Sequence, residues 1–188
     1  MSARSLTDAH RADLVQLTGL AERDLTLIWA QVSSAVDARD GLLDVLPRLV
    51  EIYGAAAATL GADFYEELRA DAEVSGRFTA IAAPLPDQGR TDALARWGVT
   101  PMFSATPDKV AALVLVAGGL QRIIANAARQ SVVLSTVDDR RARGWRRSAS
   151  DGCDWCRDLA HGDVVHTAKA AEFESHDHCN CVAAPVFD

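Results

Sequence analysis

The sequence has few aromatic residues and no long hydrophobic run. Aromatic residues make up 6% of its 188 residues, and alanine is abundant. This composition favours helices packed through small and aliphatic side chains over a β-sandwich. The longest apolar run, residues 110–120, has 11 residues between Lys109 and Arg122, against the roughly 20 that a membrane span requires. We therefore predict no membrane partner.

Two further features are missing. No apolar segment follows the polar residues 1–11, so the sequence predicts no signal peptide and a protein made in a cytoplasm. An excess of positive charge is absent, because the net charge is −7, which argues against a generic nucleic-acid binder. With 49% hydrophobic and 24% charged residues, the chain has enough apolar surface for a core and does not have a disordered composition. The length predicts one domain, or one domain with an appendage.

Cysteine is absent from the first 152 residues, and all four cysteines lie in the last 36. They are Cys153, Cys156, Cys179 and Cys181. A disulfide scaffold would normally distribute its cysteines along the chain, and it needs an oxidising compartment. Clustered cysteines in a chain predicted to be cytoplasmic indicate a metal site.

The fold class predicted from these patterns is mainly α, with a helical bundle over residues 1–142. Residues 7–72 predict two long helices, with Thr7 or Asp8 as the N-cap of the first and residues 37–41 as the connection. Apolar residues recur at spacings of three and four along the first helix: Leu14, Leu17, Ala21, Leu25, Ile28, Val32 and Val36.

The second helix is expected to begin near Leu42, which places Pro47 close to its start. An earlier beginning would make Pro47 a kink, and Gly61 is a possible break. Residues 75–91 predict an extended connection that crosses the helices, because prolines push the preceding residues out of the helical region.

A short helix is expected over residues 91–97, and a long one from an N-cap at Thr106 to about residue 139. The predicted buried face of the long helix includes Val110, Leu113, Val114, Ala117, Ile124, Ala128 and Val132. Gly118 and Gly119, in its middle, indicate close helix packing rather than a ligand loop, since no phosphate-binding glycine pattern surrounds them.

The helical part contains no set of residues that predicts catalysis. His10 is expected to be solvated near the N-terminus. The acidic pairs Glu66–Glu67 and Asp138–Asp139 are adjacent in sequence, and adjacent helical residues point in different directions. A helical scaffold is therefore the preferred interpretation.

A basic run follows the last predicted helix and includes Trp145. Its five arginines are Arg140, Arg141, Arg143, Arg146 and Arg147. One interpretation is a contact with DNA phosphates or with an acidic protein surface. The other is a solvated connection to the C-terminal module, and local charge does not decide between them.

The candidate metal ligands follow the pattern C-x2-C-x22-C-x-C. A C-x2-C paired with a second close pair of cysteines is typical of structural zinc, and Cys179 and Cys181 of the C-x-C would point to one side of an extended segment. His176 and His178 share this alternation, so either could bind the metal or support the ligands. Four or five candidate ligands leave no open coordination position, which favours a structural Zn²⁺ over a catalytic one. Disulfides and free thiols are the alternatives.

Residues 143–188 predict a small β-rich module around this site. Residues 145–148, 164–166 and 182–187 are the candidate strands. A module of this size buries little surface alone, and a zinc ion would compensate for the missing core. We therefore predict that its cysteines are needed for its folding, and that their loss leaves most of the helical signal intact.

The C-terminal residues resemble the MuF-like minor head (minor capsid) proteins of tailed bacteriophages. Those proteins end in a C-x-x-C, a short glycine-containing β segment, and a histidine followed by C-x-C. The corresponding residues here are Cys153, Cys156, Gly162, His176, Cys179 and Cys181. The arginine-rich segment and the Pro185-Val186-Phe187 ending are most similar to the type in phages of actinobacteria. The chain departs from the commoner pattern at Asp177, where proline is frequent, and at Asn180, where arginine is frequent.

The resemblance implies a structural protein of the phage head, associated with the portal or the inner capsid and involved in head morphogenesis. The expected partners are the portal, the major capsid protein or the scaffold, with packaged DNA as a further candidate. The expected location is the virion head, after assembly in the cytoplasm of the bacterial host. Some relatives carry a protease domain, but this sequence shows no separate protease domain and no convincing Ser/His dyad, so no enzymatic activity is expected.

Two alternatives remain open. His176-Asp177-His178 beside paired cysteines resembles the core of zinc-stabilised HNH-type nucleases, but those need a ββα unit, and only seven residues follow Cys181. The other is a DNA-binding module that uses the arginines of residues 140–147.

Overall fold

The computed structural model describes residues 2–149, 154–162, 164–167, 173 and 175–187. It is mainly helical with one small sheet near the C-terminus, as the sequence predicts. In chain order the elements are α1 (Ala3–Trp29), α2 (Ala35–Leu49), a π-helical turn (Val50–Gly54), α3 (Ala55–Asp71), α4 (Gln88–Gly98), a 3-10 turn (Thr100–Phe103), α5 (Lys109–Asp138), β1 (Ala142–Ser148), α6 (Asp154–Ala160) and β2 (Val182–Phe187).

Helix α1 begins and ends earlier than predicted. Its N-cap is Ser2, whose hydroxyl accepts a hydrogen bond from the Ser5 N–H at 3.3 Å. Thr7, one of the two predicted caps, lies inside the helix, where its hydroxyl donates to the Ala3 carbonyl at 2.8 Å. Because α1 ends at Trp29, the connection to α2 is residues 30–34 rather than 37–41.

The predicted connection lies instead in the first turns of α2. The hydroxyl of Ser34 accepts from the Asp37 N–H at 3.1 Å, and the Asp37 carboxylate accepts from the Ser33 N–H at 2.8 Å. The Asp37 N–H lies in the first turn and has no partner within the helix, so the Ser34 hydroxyl that accepts from it favours a helix start. The bond from Ser33, which precedes the cap, places the Asp37 carboxylate at the same end. Val36, which the sequence pattern places on the apolar face of the first helix, lies on α2 and is 51% exposed.

Pro47 lies inside α2, because the helix begins at Ala35 rather than near Leu42. This is the alternative for which a kink at Pro47 is predicted. Pro47 has no N–H to donate, and the π-helical turn Val50–Gly54 follows α2 and leads into α3. Gly61 does not break α3. It packs against α5, where a Cβ atom would overlap the backbone of Ala128.

Residues 72–87 cross the helices without a helix or a strand, as the prolines predict. The Ile81 N–H donates to the Ser135 hydroxyl at 2.8 Å, and the Ala83 N–H donates to the Ser131 hydroxyl at 2.9 Å. Two serines of α5 therefore hold the crossing segment against the helix.

Helix α5 is capped by Asp108 rather than Thr106, because the Asp108 carboxylate accepts from the Ala111 N–H at 2.8 Å. Its first two turns are also rotated relative to the prediction. Val110 is 73% exposed and Val114 is 53% exposed, whereas Ala112 and Val116 are buried. Nearly all residues of this segment are apolar, so the sequence does not distinguish its inner side from its outer side.

By length and composition alone, α5 could also cross a membrane. Half of its most apolar 18-residue window is buried inside the protein. A long core helix has the same composition, so this property does not by itself indicate a span.

β1 and β2 form an antiparallel pair that runs from Ala142 opposite Phe187 to Ser148 opposite Val182. Residues 164–166, a predicted strand, contribute a single bridge to this sheet. The Trp145 N–H donates to the His166 carbonyl at 2.9 Å, and the His166 N–H donates back to Trp145 at 2.7 Å.

Two hydrophobic clusters hold these elements together. The first lies among α1, α2, α4 and α5 and includes Leu25, Leu46, Leu94, Val116 and Leu120. The second joins helical residues to C-terminal ones: Leu6, Phe64, Tyr65, Leu68, Val132 and Val133 with Trp145, Cys156, Phe173, Cys179, Cys181, Ala183 and Ala184. The division into 1–142 and 143–188 stays a prediction, and side chains from both parts share this cluster.

Candidate metal centre

Three of the four cysteines converge at one buried point. Cys156 comes from α6, and Cys179 and Cys181 come from the segment between a turn and β2. Their sulfur atoms all lie within 4.8 Å of one another, and the Cys156 and Cys179 sulfurs are 3.6 Å apart. Cys153, the fourth predicted ligand, lies outside the described residues.

The donor set fits a metal ion. With a Zn–S bond of about 2.3 Å, two sulfurs at a tetrahedral angle are about 3.8 Å apart, close to the separation of Cys156 and Cys179. Thiolates are soft ligands that select zinc and related ions over magnesium or calcium. The three cysteines can therefore hold most of the coordination sphere of such an ion.

The two predicted histidines differ in position. His176 Nε2 lies 3.4 Å from the Cys156 sulfur, and its Nδ1 is 2.6 Å from the carbonyl oxygen of Asp177. His178 is exposed, adopts a left-handed backbone with φ of 59°, and lies over Gly118 of α5. Within the described part of the chain, the group of ligand atoms mutually within 4.8 Å contains the three cysteines and neither histidine.

The glycine at position 118 allows the ligand segment to approach α5. A Cβ atom there would lie 2.7 Å from His178 Nε2 and 2.9 Å from Asp177 Cβ. The neighbouring Gly119 is packed against Leu94 of α4. The close packing predicted for this glycine pair is therefore present. Gly118 packs against the segment that carries the metal ligands, and Gly119 packs against α4.

Polar side chains of α5 hold the backbone of the ligands. Arg129 Nε donates to the Cys181 carbonyl at 2.8 Å, and its Nη2 donates to the Cys179 carbonyl at 2.6 Å. Gln121 donates to the same Cys179 carbonyl at 3.1 Å. Such outer contacts orient metal ligands, and no local sequence pattern identifies them.

In the absence of an ion, the Cys179 thiol favours the protonated form. A hydrogen bond with Cys181 and burial raise the pKa of the Cys179 thiol, although the positive charge of Arg129 acts in the opposite direction. A bound metal ion displaces such protons directly, so metal binding at this site would release protons.

The five arginines predicted to contact a partner do not share one environment. Four are exposed: Arg140, Arg141, Arg143 and Arg146. Arg147 is buried, with its guanidinium 3.8 Å from the centroid of the Phe173 ring and 4.0 Å from the Cys156 sulfur. Successive residues of a strand face opposite sides, which explains why Arg146 points outward and Arg147 inward. Arg147 thus borders the metal centre, and a partner contact by the other four stays a prediction.

His10 is buried, contrary to the solvated position predicted from the sequence. It is 6% exposed, and its ring stacks on Phe64 with 4.2 Å between centroids. Burial, followed by the positive charges of Arg11 and Arg129, lowers the pKa of His10 to about 4. The spacing of four residues from Leu6 to His10 was the available signal that it shares the buried face of α1.

The comparisons with known proteins give one match. The family model described as VG15 protein matches residues 1–188. Neither the curated proteins nor the solved structures that were searched contain a match to the chain. The family match supports the phage origin implied by the C-terminal motif, but it does not extend to the MuF-like minor head family. The chain belongs to the VG15 protein family, a family of phage proteins.

Proposed function

We propose that this chain is a minor structural protein of the phage head, with a structural zinc ion that holds its C-terminal elements together. The observation that carries this proposal is the buried group of Cys156, Cys179 and Cys181 in a chain that matches a phage family along its whole length. A site buried in this way serves stability better than turnover, because a catalytic zinc keeps an open position for water or substrate.

Zinc is proposed on the chemistry of the donors. The three sulfurs supply soft, anionic ligands, and a fourth ligand would come from Cys153 or His176. The ion would cross-link α6 to the segment that enters β2, because Cys156 and Cys179 belong to these two parts of the chain. It would make up for the short strands and the seven-residue helix α6, which bury little surface by themselves.

The proposed partners are other head proteins, namely the portal, the major capsid protein or the scaffold, with packaged DNA as a further candidate. We propose no enzymatic activity and no membrane partner. The nuclease alternative requires a helix after the metal ligands, whereas the residues that follow Cys181 form β2. This arrangement favours the structural role.

Metal analysis tests the zinc site. Elemental analysis of freshly purified, reduced protein should find about one zinc per chain, with thiols that react only after chelation or denaturation. Cys156→Ser should lose the metal, and the control His161→Ala, at an exposed position after α6, should retain it. A metal-free wild-type protein with no reactive thiols even after denaturation would indicate disulfides and contradict the proposal.

Mass spectrometry of purified particles and of empty precursor heads tests the location. We expect the chain in at least one of them, in fewer copies than the major capsid protein. Its absence from both, while it is present in the infected-cell lysate, would exclude a structural role in the head.

A further inference from the structure

Arg129 is a buried cation whose hydrogen-bond acceptors, among the described residues, include no carboxylate. It lies in the middle of α5 and is 2% exposed. Its guanidinium donates to three oxygens: the carbonyls of Cys181 at 2.8 Å and Cys179 at 2.6 Å, and the side-chain oxygen of Asn126 at 2.7 Å. All three oxygens are uncharged. A buried charge is costly unless an opposite charge lies nearby, so these neutral acceptors do not explain the position of Arg129.

The cysteines offer the missing negative charge. The two carbonyls that Arg129 holds belong to Cys179 and Cys181, and both cysteines lie in the group of sulfurs that also contains Cys156. Three thiolates and one divalent ion carry a net charge of about −1 if the fourth ligand is a neutral imidazole, and about −2 if it is another thiolate. The loaded centre is negative in both cases, whereas three protonated thiols are neutral.

We infer that Arg129 is a counter-charge of the metal–thiolate centre, beside the buried Arg147 at the Cys156 sulfur, and the positioning residue that fixes the Cys179 and Cys181 ligand pair on α5. This inference rests on the proposed metal site. Binding of the ion compensates the charge of Arg129, and the charge of Arg129 in turn favours the anionic centre. Because such a coupling is reciprocal, the same residue contributes to metal affinity and to the dependence of folding stability on the metal.

Metal affinity is the first test. The Kd for Co²⁺ and for Zn²⁺ is measured by competition with a chelating dye in the full-length wild type, Arg129→Met, Arg129→Lys and the control Arg48→Met. Loss of a group that supports metal ligands weakens binding by about 10–100-fold, and we expect this for Arg129→Met. Arg129→Lys keeps the charge and loses the paired hydrogen bonds, so it should fall between wild type and Arg129→Met. Arg48 is an exposed arginine of α2, and its replacement should leave the Kd unchanged.

Stability with and without metal separates a counter-charge from ordinary packing. In the metal-loaded form Arg129→Met should melt at a lower temperature than wild type. After chelation the wild type retains Arg129 buried without the charge of the metal–thiolate centre, so the difference in melting temperature should shrink or reverse. A residue that acts only through packing and carbonyl hydrogen bonds would lower the melting temperature equally in both forms.

The outcomes are distinguishable. Wild-type protein that binds no metal removes the proposed zinc site and this inference together. Wild-type protein that binds metal while Arg129→Met has an unchanged Kd and an equal loss of stability in both forms overturns this inference and leaves the zinc site in place. If Arg129→Met does not fold, as judged by circular dichroism, Arg129→Gln replaces it in both measurements, because it removes the charge and keeps a hydrogen-bond donor. An unchanged Kd and an equal loss of stability in both forms of that variant are again contrary to the inference.

Discussion

At the scale of single residues, the stacked pair of His10 and Phe64 makes stability depend on pH. The folded pKa of His10, about 4, lies below its ordinary value of 6.5, so the unfolded chain binds more protons between these values. Its contribution is fully present above pH 6.5 and is lost as the pH falls towards 4. Linkage gives a loss of about 2 kcal/mol between pH 7 and pH 5.

His10→Phe tests this expectation, because it keeps an aromatic ring against Phe64 and removes the titrating group. The free energy of unfolding from urea titrations should fall less between pH 7 and pH 5 in the variant than in wild type. His161→Phe, at an exposed position, should behave like wild type. An equal pH dependence in His10→Phe and wild type would show that other groups cause it.

A buried ion pair ties the end of α5 to α3. The Asp139 carboxylate accepts from Arg69 Nε at 2.8 Å, from the Tyr65 hydroxyl at 3.1 Å and from the Arg141 N–H at 2.9 Å. Burial raises the pKa of Asp139, but these hydrogen bonds outweigh it and hold that pKa below its usual value. Arg69 also donates to carbonyls of residues 74–76, so it fixes the start of the crossing segment.

We expect Asp139→Asn to lower the free energy of unfolding by about 3 kcal/mol, because it leaves the Arg69 charge buried and unmatched. Chemical denaturation at neutral pH measures this loss. The exposed pair of Asp44 and Arg48 provides the control, since Asp44→Asn should cost about 0.5 kcal/mol or less. Equal losses in the two variants would contradict a structural role for the buried pair.

The sequence was enough to select the cysteines as candidate metal ligands, but not the side chains that hold the backbone of those ligands. Clustering in the sequence was enough to select Cys156, Cys179 and Cys181. Arg129 lies fifty residues or more from the carbonyls it holds, and no local pattern links such distant positions. Arg147 was grouped with its neighbours by charge, although the alternation of a strand turns it to the opposite side.

At the scale of elements, the packing of α3 on α5 depends on Gly61. A Cβ atom at this position would overlap the Ala128 backbone, which cannot move without shifting α5. We expect Gly61→Ala to lower the free energy of unfolding by about 2 kcal/mol, although alanine favours helices.

Gly19→Ala in α1 is the matched control, because beyond its chain neighbours and the adjacent backbone of its own helix no described atom lies within 4 Å of the added Cβ. It should raise the free energy of unfolding by about 0.5–1 kcal/mol through helix propensity. Thermal and urea denaturation of both variants check the opposite signs. A stabilising Gly61→Ala would mean that the two helices are not in close contact.

The elements themselves could be predicted better than their limits. The helical periodicity, the proline-rich crossing and the strands at 145–148 and 182–187 were all visible in the sequence. The start of α2 could not be predicted, because an aspartate such as Asp37 suits a loop as well as the first turn of a helix. The outer side of α5 was also missed, since Val110 and Ala112 are both apolar and only tertiary packing separates them.

At the scale of the whole molecule, the metal centre and the helices share one hydrophobic cluster. Cys156, Cys179 and Cys181 pack with Phe64 and Tyr65 of α3. We therefore expect chelation to lower the melting temperature of the helical signal, even if that signal is retained at room temperature. Metal binding to the native state alone stabilises all elements that unfold together.

Far-UV circular dichroism during heating, with and without chelator, measures this effect. Cys181→Ser should reproduce the result of chelation and should show no further change when chelator is added. Two separate transitions, with the helical one unaffected by metal, would instead indicate that residues 143–188 unfold independently.

Pro185 limits how the sheet can grow. The N–H and carbonyl of Trp145 are hydrogen-bonded to His166. Trp145 and Pro185, which lie opposite each other in the sheet, therefore form a pair without hydrogen bonds between them. The proline therefore costs the ladder no hydrogen bond, and it offers no N–H at the outer edge of β2. At the opposite edge of the sheet, His166 pairs with Trp145 in the middle of β1. Copies of the chain can thus meet at high local concentration with little tendency to join edge to edge into a continuous sheet.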